Sequence, residues 1–183
     1  ALPPSGWRLA IIPSDYRFSE TENQFPLVPG DTYQQAESMY LQSKQGAYEA
    51  GFDAAYGYMV NNQYANTWMR QDAALLIVFV SDEPEQSNQY VTTVSDYIFW
   101  VSTTRSNVYV ASIVHIDPPE SLCNHTGLHT GYKYIDVANH FNGNVVDICS
   151  EDWTAGVSDA ANQVEPHEEW PLTYEPADPN HIY

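Results

Sequence analysis

Basic residues are scarce in this chain. Six lysines and arginines stand against 24 acidic residues, and only Lys44 and Lys133 among the six are lysines. The resulting net charge of −18 repels phosphate backbones and anionic headgroups, so nucleic acid and membrane surfaces are poor partners. Long apolar runs are missing as well. No stretch approaches the roughly 20 residues that span a bilayer, which argues against membrane insertion. There is no initiator Met, no basic n-region and no apolar h-region, so no signal peptide is expected in this sequence, and the opening Ala-Leu-Pro-Pro reads as a processed start or an excerpt. Enzyme signatures are equally absent: no G-x-S-x-G elbow, P-loop, G-x-G-x-x-G after the first strand, or HExxH. Adjacent Asp82 and Glu83 leave a strand pointing different ways, which makes a general acid/base pair there a poor reading. The expectation is a protein that is not an enzyme.

What is present is enough for a core. Hydrophobic residues make up 43% of the 183 positions, too many for wholesale disorder. Fourteen tyrosines and five tryptophans among many Asn and Gln residues suit a secreted or particle-bound protein, and the acidity suits solubility in salty water. Cys123 and Cys149 are the two cysteines. An even count in a secreted-looking chain points to one disulfide, with two free buried thiols as the alternative. Closing such a loop stabilises by roughly 3–4 kcal/mol on the chain-entropy model. Asn124-His125-Thr126 forms an N-glycosylation sequon, which makes Asn124 a candidate acceptor.

Along the chain, WRLAII (7–12) reads as a short buried strand closed by Pro13. A long excursion follows, with a helical turn around Gln34 to Gln42. From Ala47, the spacing of Tyr48, Phe52, Ala55 and Met59 predicts a helix that stops at Asn61-Asn62. ALLIVFV (74–80) fits a central parallel strand buried on both faces. Tyr90, Val94, Tyr97, Ile98 and Val101 form the stripe of a second helix, and VYVASIVHI (108–116) is the next strand. A third helix carries Tyr134, Ala138 and Phe141 inward and ends at an Asn142-Gly143 cap. Asn144 to Ile148 is the last strand, and Trp153, Val157, Ala160 or Ala161, and Val164 mark a closing helix. Strand alternating with helix implies right-handed crossovers and a doubly wound, mostly parallel α/β sheet with helices on both faces. Residues 1–164 form this domain. Residues 165–183, with four prolines, read as a linker into a further β-domain that could begin at Trp170 to Tyr174, so both ends look cut.

Ligands of open α/β sheets sit at the carboxyl ends of the strands. Asp82 and Glu83 follow the most apolar strand, with Glu85 and Ser87 just beyond. Such oxygens suit Mg²⁺ or Ca²⁺, while a solvated acidic turn is the plainer alternative. Cys123, His125 and His129 carry zinc-ligand atoms, but they lie in a Gly- and Thr-containing loop and Cys149 is a better partner for Cys123.

The run DAALLIVFVSDEPEQS (72–87) resembles the strand and third metal loop of von Willebrand factor type A (VWA) domains of bacterial surface proteins. Tyr48-Glu49-Ala50-Gly51-Phe52 resembles the start of their preceding helix, and SIVHI, Cys123 and GYKYIDVANHFNGNVVDIC follow in the order of their closing half. The likeness covers residues 7 to 164. It implies a VWA/Rossmann-like three-layer sandwich and a divalent cation whose third-loop ligand is Asp82, with Glu83 and Ser87 beside it. The family's first loop, Asp-x-Ser-x-Ser, occurs nowhere in this chain. Gln45-Gly46-Ala47 stands where a second-loop Thr is usual, and Thr32 is the nearest upstream candidate. In the family's topology the first strand lies between the second and fourth, so a chain starting at the second leaves a central gap. Its two unpaired backbone rows would each need filling, by upstream sequence or by a strand from a neighbouring subunit. The expected function is an extracellular binding or adhesion module of a larger surface or virion protein, directed at a protein or glycan ligand. The alternative is a structural subunit or decoration of an extracellular filament or phage tail, without a working metal site.

Overall fold

Seven consecutive apolar residues produce the first sheet strand, β1 (Leu75–Ser81). The computed structural model describes residues 6–44, 46–123 and 129–164. It is an α/β structure with a three-stranded, all-parallel sheet in the order β1, β2 (Val108–Val114), β3 (Val145–Asp147), and helices interleave with the strands. Before β1 come α1 (Tyr16–Ser19), α2 (Tyr33–Gln42), α3 (Gly51–Tyr56), a π-helical segment Gly57–Asn61 that continues α3, and α4 (Ala65–Trp68). α5 (Val94–Thr104) joins β1 to β2, α6 (Tyr132–His140) joins β2 to β3, and α7 (Thr154–Gln163) follows β3.

The pleat decides what each strand buries. Leu75, Ile77 and Phe79 share a face with Val108, Val110 and Val114, because the register sets Leu75 opposite Val108 and Ser81 opposite Val114. That face meets Phe52 of α3, Tyr97 and Val101 of α5, and Tyr134, Val137 and Ala138 of α6. Phe52 stacks on Tyr97 at 4.3 Å between ring centroids and meets Phe79 and Tyr134 edge-on at 5.5 Å each. Such ring pairs contribute about 0.5–1.5 kcal/mol each beyond area burial. The core is therefore aromatic at its centre and aliphatic toward β3.

Helix ends follow their local chemistry. Thr32 caps α2 with a reciprocal box: the Gln35 N–H donates to Thr32, and the Gln35 side chain accepts from the Thr32 N–H. Just past the end of α6, Asn142 takes a left-handed φ of 53°, and the Gly143 N–H donates to Ala138 O at 2.8 Å. The Asn-Gly cap expected there is present.

Three expectations are corrected. WRLAII is not a sheet strand: among the described residues it makes one isolated antiparallel bridge, with Leu9 and Leu27 exchanging backbone bonds at 2.9 Å. Six residues closed by Pro13, with Leu9 substantially exposed, lack the apolar partner surface that would hold them in a sheet. The helix predicted from Ala47 begins at Gly51, leaving Tyr48 exposed outside it. β1 is not central. Among the described residues it pairs on one side only, and of its seven residues Phe79 and Ser81 are buried, Leu75 to Val78 partly buried and Val80 exposed. The expected gap with two unpaired rows is not found: among the described residues β1, β2 and β3 are contiguous, and the open rows are the outer edges of β1 and of the short β3. Residues 165–183, and with them the linker and further β-domain, lie outside the described residues, as do Asn124 and His125.

Candidate functional site

Parallel strands bring their carboxyl ends to one side of the sheet, and the chemistry-bearing residues of this chain gather there. At the exit of β1, the Ser81 hydroxyl lies 3.1 Å from Glu49 Oε2 and 2.9 Å from Glu83 O. Asp82 and Glu83 are exposed, and Glu83 accepts from Gln86 Nε2 at 3.0 Å. Glu85 and Ser87 turn inward. Glu85 Oε1 accepts from the Ser87 N–H at 2.9 Å, and its Oε2 pairs with Lys133 Nζ at 3.3 Å. The Ser87 hydroxyl accepts from the Asp53 N–H at 2.8 Å.

Asp53 completes this lacing. Its fully buried carboxylate accepts four backbone N–H groups, those of Asn88 and Gln89 on Oδ2 and of Tyr90 and Val91 on Oδ1, at 2.7 to 2.9 Å. The acidic loop after β1 is thus sewn to the start of α3. Sequence reasoning missed Asp53 because one acid among 24, inside a helical stripe, carries no distinguishing mark.

Of the residues read as cation ligands, Asp82 and Glu83 are adjacent and open to solvent, Ser87 is buried with its oxygen engaged, and Thr32 caps α2. Among the described residues, three or more acidic, His or Cys donors converge on one point at a different place, around His115, Cys123, Asp147 and Cys149. Cys123 and Cys149 form the disulfide that the even count pointed to, with Cα atoms 5.2 Å apart. His115 directly follows β2 and places Nδ1 2.8 Å from Cys123 Sγ, while its buried Nε2 has no partner among the described residues. Asp147 ends β3. Burial pushes its carboxyl up, but the N–H groups of Leu122 and Cys149, the Ser121 hydroxyl and the nearby His115 outweigh that and hold it below the usual carboxylate value. A usable signal lay in the register: SIVHI and VVDIC end adjacent parallel strands, so His115, Asp147 and Cys149 had to meet at one end of the sheet. His129, from the other zinc reading, is exposed.

The third feature is the free edge of β1. The Leu75 N–H donates to Asn107 O, so by alternation the N–H and C=O of Leu76, Val78 and Val80 point away from β2. No described group is hydrogen-bonded to that row. On the same pleat face, Ala111 and Ile113 of β2 are 3% and 2% exposed, whereas Val80, paired with Ile113, is 51% exposed. Gly156 of α7 sits against Val146 of β3, so cover on this side is provided toward β3 and thins toward β1.

Among the described residues no helix is long and apolar enough to cross a membrane. No protein-family model, curated protein or solved structure matches the chain at a significant level.

Proposed function

We propose that this chain is an extracellular binding module of a larger surface or virion protein, and that it joins its assembly by accepting an extended strand along β1. The observation that carries this reading is the coincidence of an unpaired backbone row on Leu76, Val78 and Val80 with an apolar side chain, that of Val80, left exposed on the same strand. Long hydrophobic edges are normally shortened, charged or covered, because they template pairing with another chain. The seven residues of β1 contain no charge and no proline, and among the described residues no segment pairs with its outer edge. Strand addition would pair the row and bury Val80 in one step.

The resemblance to VWA domains supports the same geometry. In that doubly wound, three-layer topology the strand beside β1 is the first strand, followed by the Asp-x-Ser-x-Ser loop. An incoming strand of that kind would bring its loop to the exposed carboxylate of Asp82, where Mg²⁺ or Ca²⁺ would be held between them. The disulfide fits an oxidising, extracellular setting, and the acidic surface fits a protein rather than a nucleic-acid partner. The strand can come from elsewhere in the same protein or from a neighbouring subunit.

Val80→Pro tests the proposal. The Val80 N–H faces outward, and proline is tolerated on edge strands in that position. In the isolated chain the substitution is expected to cost about 1 kcal/mol or less by denaturant unfolding. In the natively assembled protein it is expected to weaken association at least about tenfold, because a ladder bond is lost and the ring blocks the incoming strand. Equal small effects in both settings would sink the proposal.

A further inference from the structure

The group at the ends of β2 and β3 holds more ligand chemistry than a structural disulfide needs. His115, Cys123, Asp147 and Cys149 place one donor atom each within 4.8 Å of one another. His115 is 5% exposed, yet among the described residues neither of its nitrogens has a strong partner: Nδ1 faces the sulfur of Cys123, and Nε2 faces none. A buried imidazole left so is destabilising, a penalty that a purely apolar residue beside the disulfide would avoid. Asp147 Oδ1 lies 3.5 Å from Cys123 Sγ and accepts the Cys149 N–H at 3.1 Å. The other oxygen, Oδ2, is fixed by the Ser121 hydroxyl at 3.0 Å and by the Leu122 N–H. The carboxylate is thereby oriented by its surroundings, as metal-bound carboxylates are.

We propose that the reduced chain binds one Zn²⁺ through Cys123, Cys149, His115 and Asp147, and that the zinc form and the disulfide form are alternative closures of the same loop. Two thiolates, an imidazole nitrogen and a carboxylate oxygen make a four-coordinate set that zinc accepts. Tetrahedral bonds of about 2.0–2.3 Å place ligand atoms roughly 3.3–3.8 Å apart. The Nδ1–Sγ and Sγ–Oδ1 separations of 2.8 and 3.5 Å are near that range, so opening the S–S bond is the main movement required. Binding exchanges the two thiol protons for the metal. In the reverse direction, a disulfide-bearing oxidant takes up two electrons and two protons to become two thiols, Cys123 and Cys149 join, and Zn²⁺ leaves. The site would tie Cys123 to the ends of β2 and β3 before the disulfide forms.

The test reduces the purified chain with a phosphine, which takes its oxygen from water as the two sulfurs become thiols, and then titrates Zn²⁺ or Co²⁺. The expected result is one metal per chain, with thiolate-to-cobalt charge-transfer and tetrahedral d–d bands, and no stoichiometric binding by the oxidised chain. His115→Ala should weaken binding at least about tenfold, and Asp147→Asn should shift the d–d bands. If reduction alone unfolds the chain, zinc is expected to restore the native circular dichroism. The proposal is overturned by a reduced, folded chain that takes up no stoichiometric metal. It is equally overturned by unchanged affinity in His115→Ala, which would mean two thiols chelating alone, or by failure of zinc to refold a reduction-unfolded chain.

Discussion

Replacing Asp53 with alanine is expected to destabilise the chain by about 3–5 kcal/mol, although Asp53 lies on no strand end and in no predicted site. The carboxylate is fully buried and gathers the four N–H groups of residues 88–91. Alanine leaves those donors facing one another across a small void. Asn88, Gln89 and Tyr90 are exposed enough for water to replace part of the loss, but the Val91 N–H lies on a residue that is buried. Hydrogen bonds to a charged acceptor are worth about 1.5–3 kcal/mol each, so even partial rehydration leaves a large deficit. Asp53→Asn should fall between, since an amide presents acceptors from one atom and donors from the other. Denaturant unfolding of the three proteins measures this directly. A loss below about 1 kcal/mol for alanine would mean that the loop from Glu85 to Val91 is not held from Asp53.

Gly143→Ala is the second large effect, expected to cost at least about 3 kcal/mol. A Cβ on Gly143 would stand 1.6 Å from the carbonyl oxygen of Val110, a backbone atom in the middle strand. No rotamer change relieves that contact, so α6 and β2 must separate, and with them Val137 and Ala138 must leave Val110 and Val114. Gly156→Ala provides the contrast. Its Cβ would meet a methyl of Val146 at 2.2 Å, the far end of a side chain that can rotate away. Thermal unfolding should therefore rank Gly143→Ala well below Gly156→Ala, and the reverse order would place the tight contact wrongly.

The alternation of strand and helix was legible because local pattern carries it. ALLIVFV and VYVASIVHI are apolar runs of strand length, and the buried residues of α5 and α6 repeat at helical spacing; Tyr90 instead lies exposed before α5, and on α7 Ala160 and Ala161 are buried while Trp153 and Val157 are exposed. The Asn142-Gly143 stop was readable for the same reason: a left-handed cap depends on two neighbouring residues. The edge position of β1 was not readable, because an apolar run reads alike whether a second strand pairs with it or not. WRLAII misled by the same rule: its composition is that of a strand, but the sheet has no place for it. Asp82 and Glu83 stood out by following a strand. His115 and Asp147 obey that same geometry, but they were overlooked because each is a lone residue whose partners lie on another strand.

The central claim is that β1 is an acceptor edge, and amide hydrogen exchange tests it most directly. In the isolated chain, the Leu76, Val78 and Val80 amides should exchange fast while Ile77 and Phe79, which face β2, stay protected. In the native assembly the three outward amides should become protected by at least about two orders of magnitude, as hydrogen-bonded strand amides are. If they exchange equally fast in both, no strand is added at β1 and the account is contradicted.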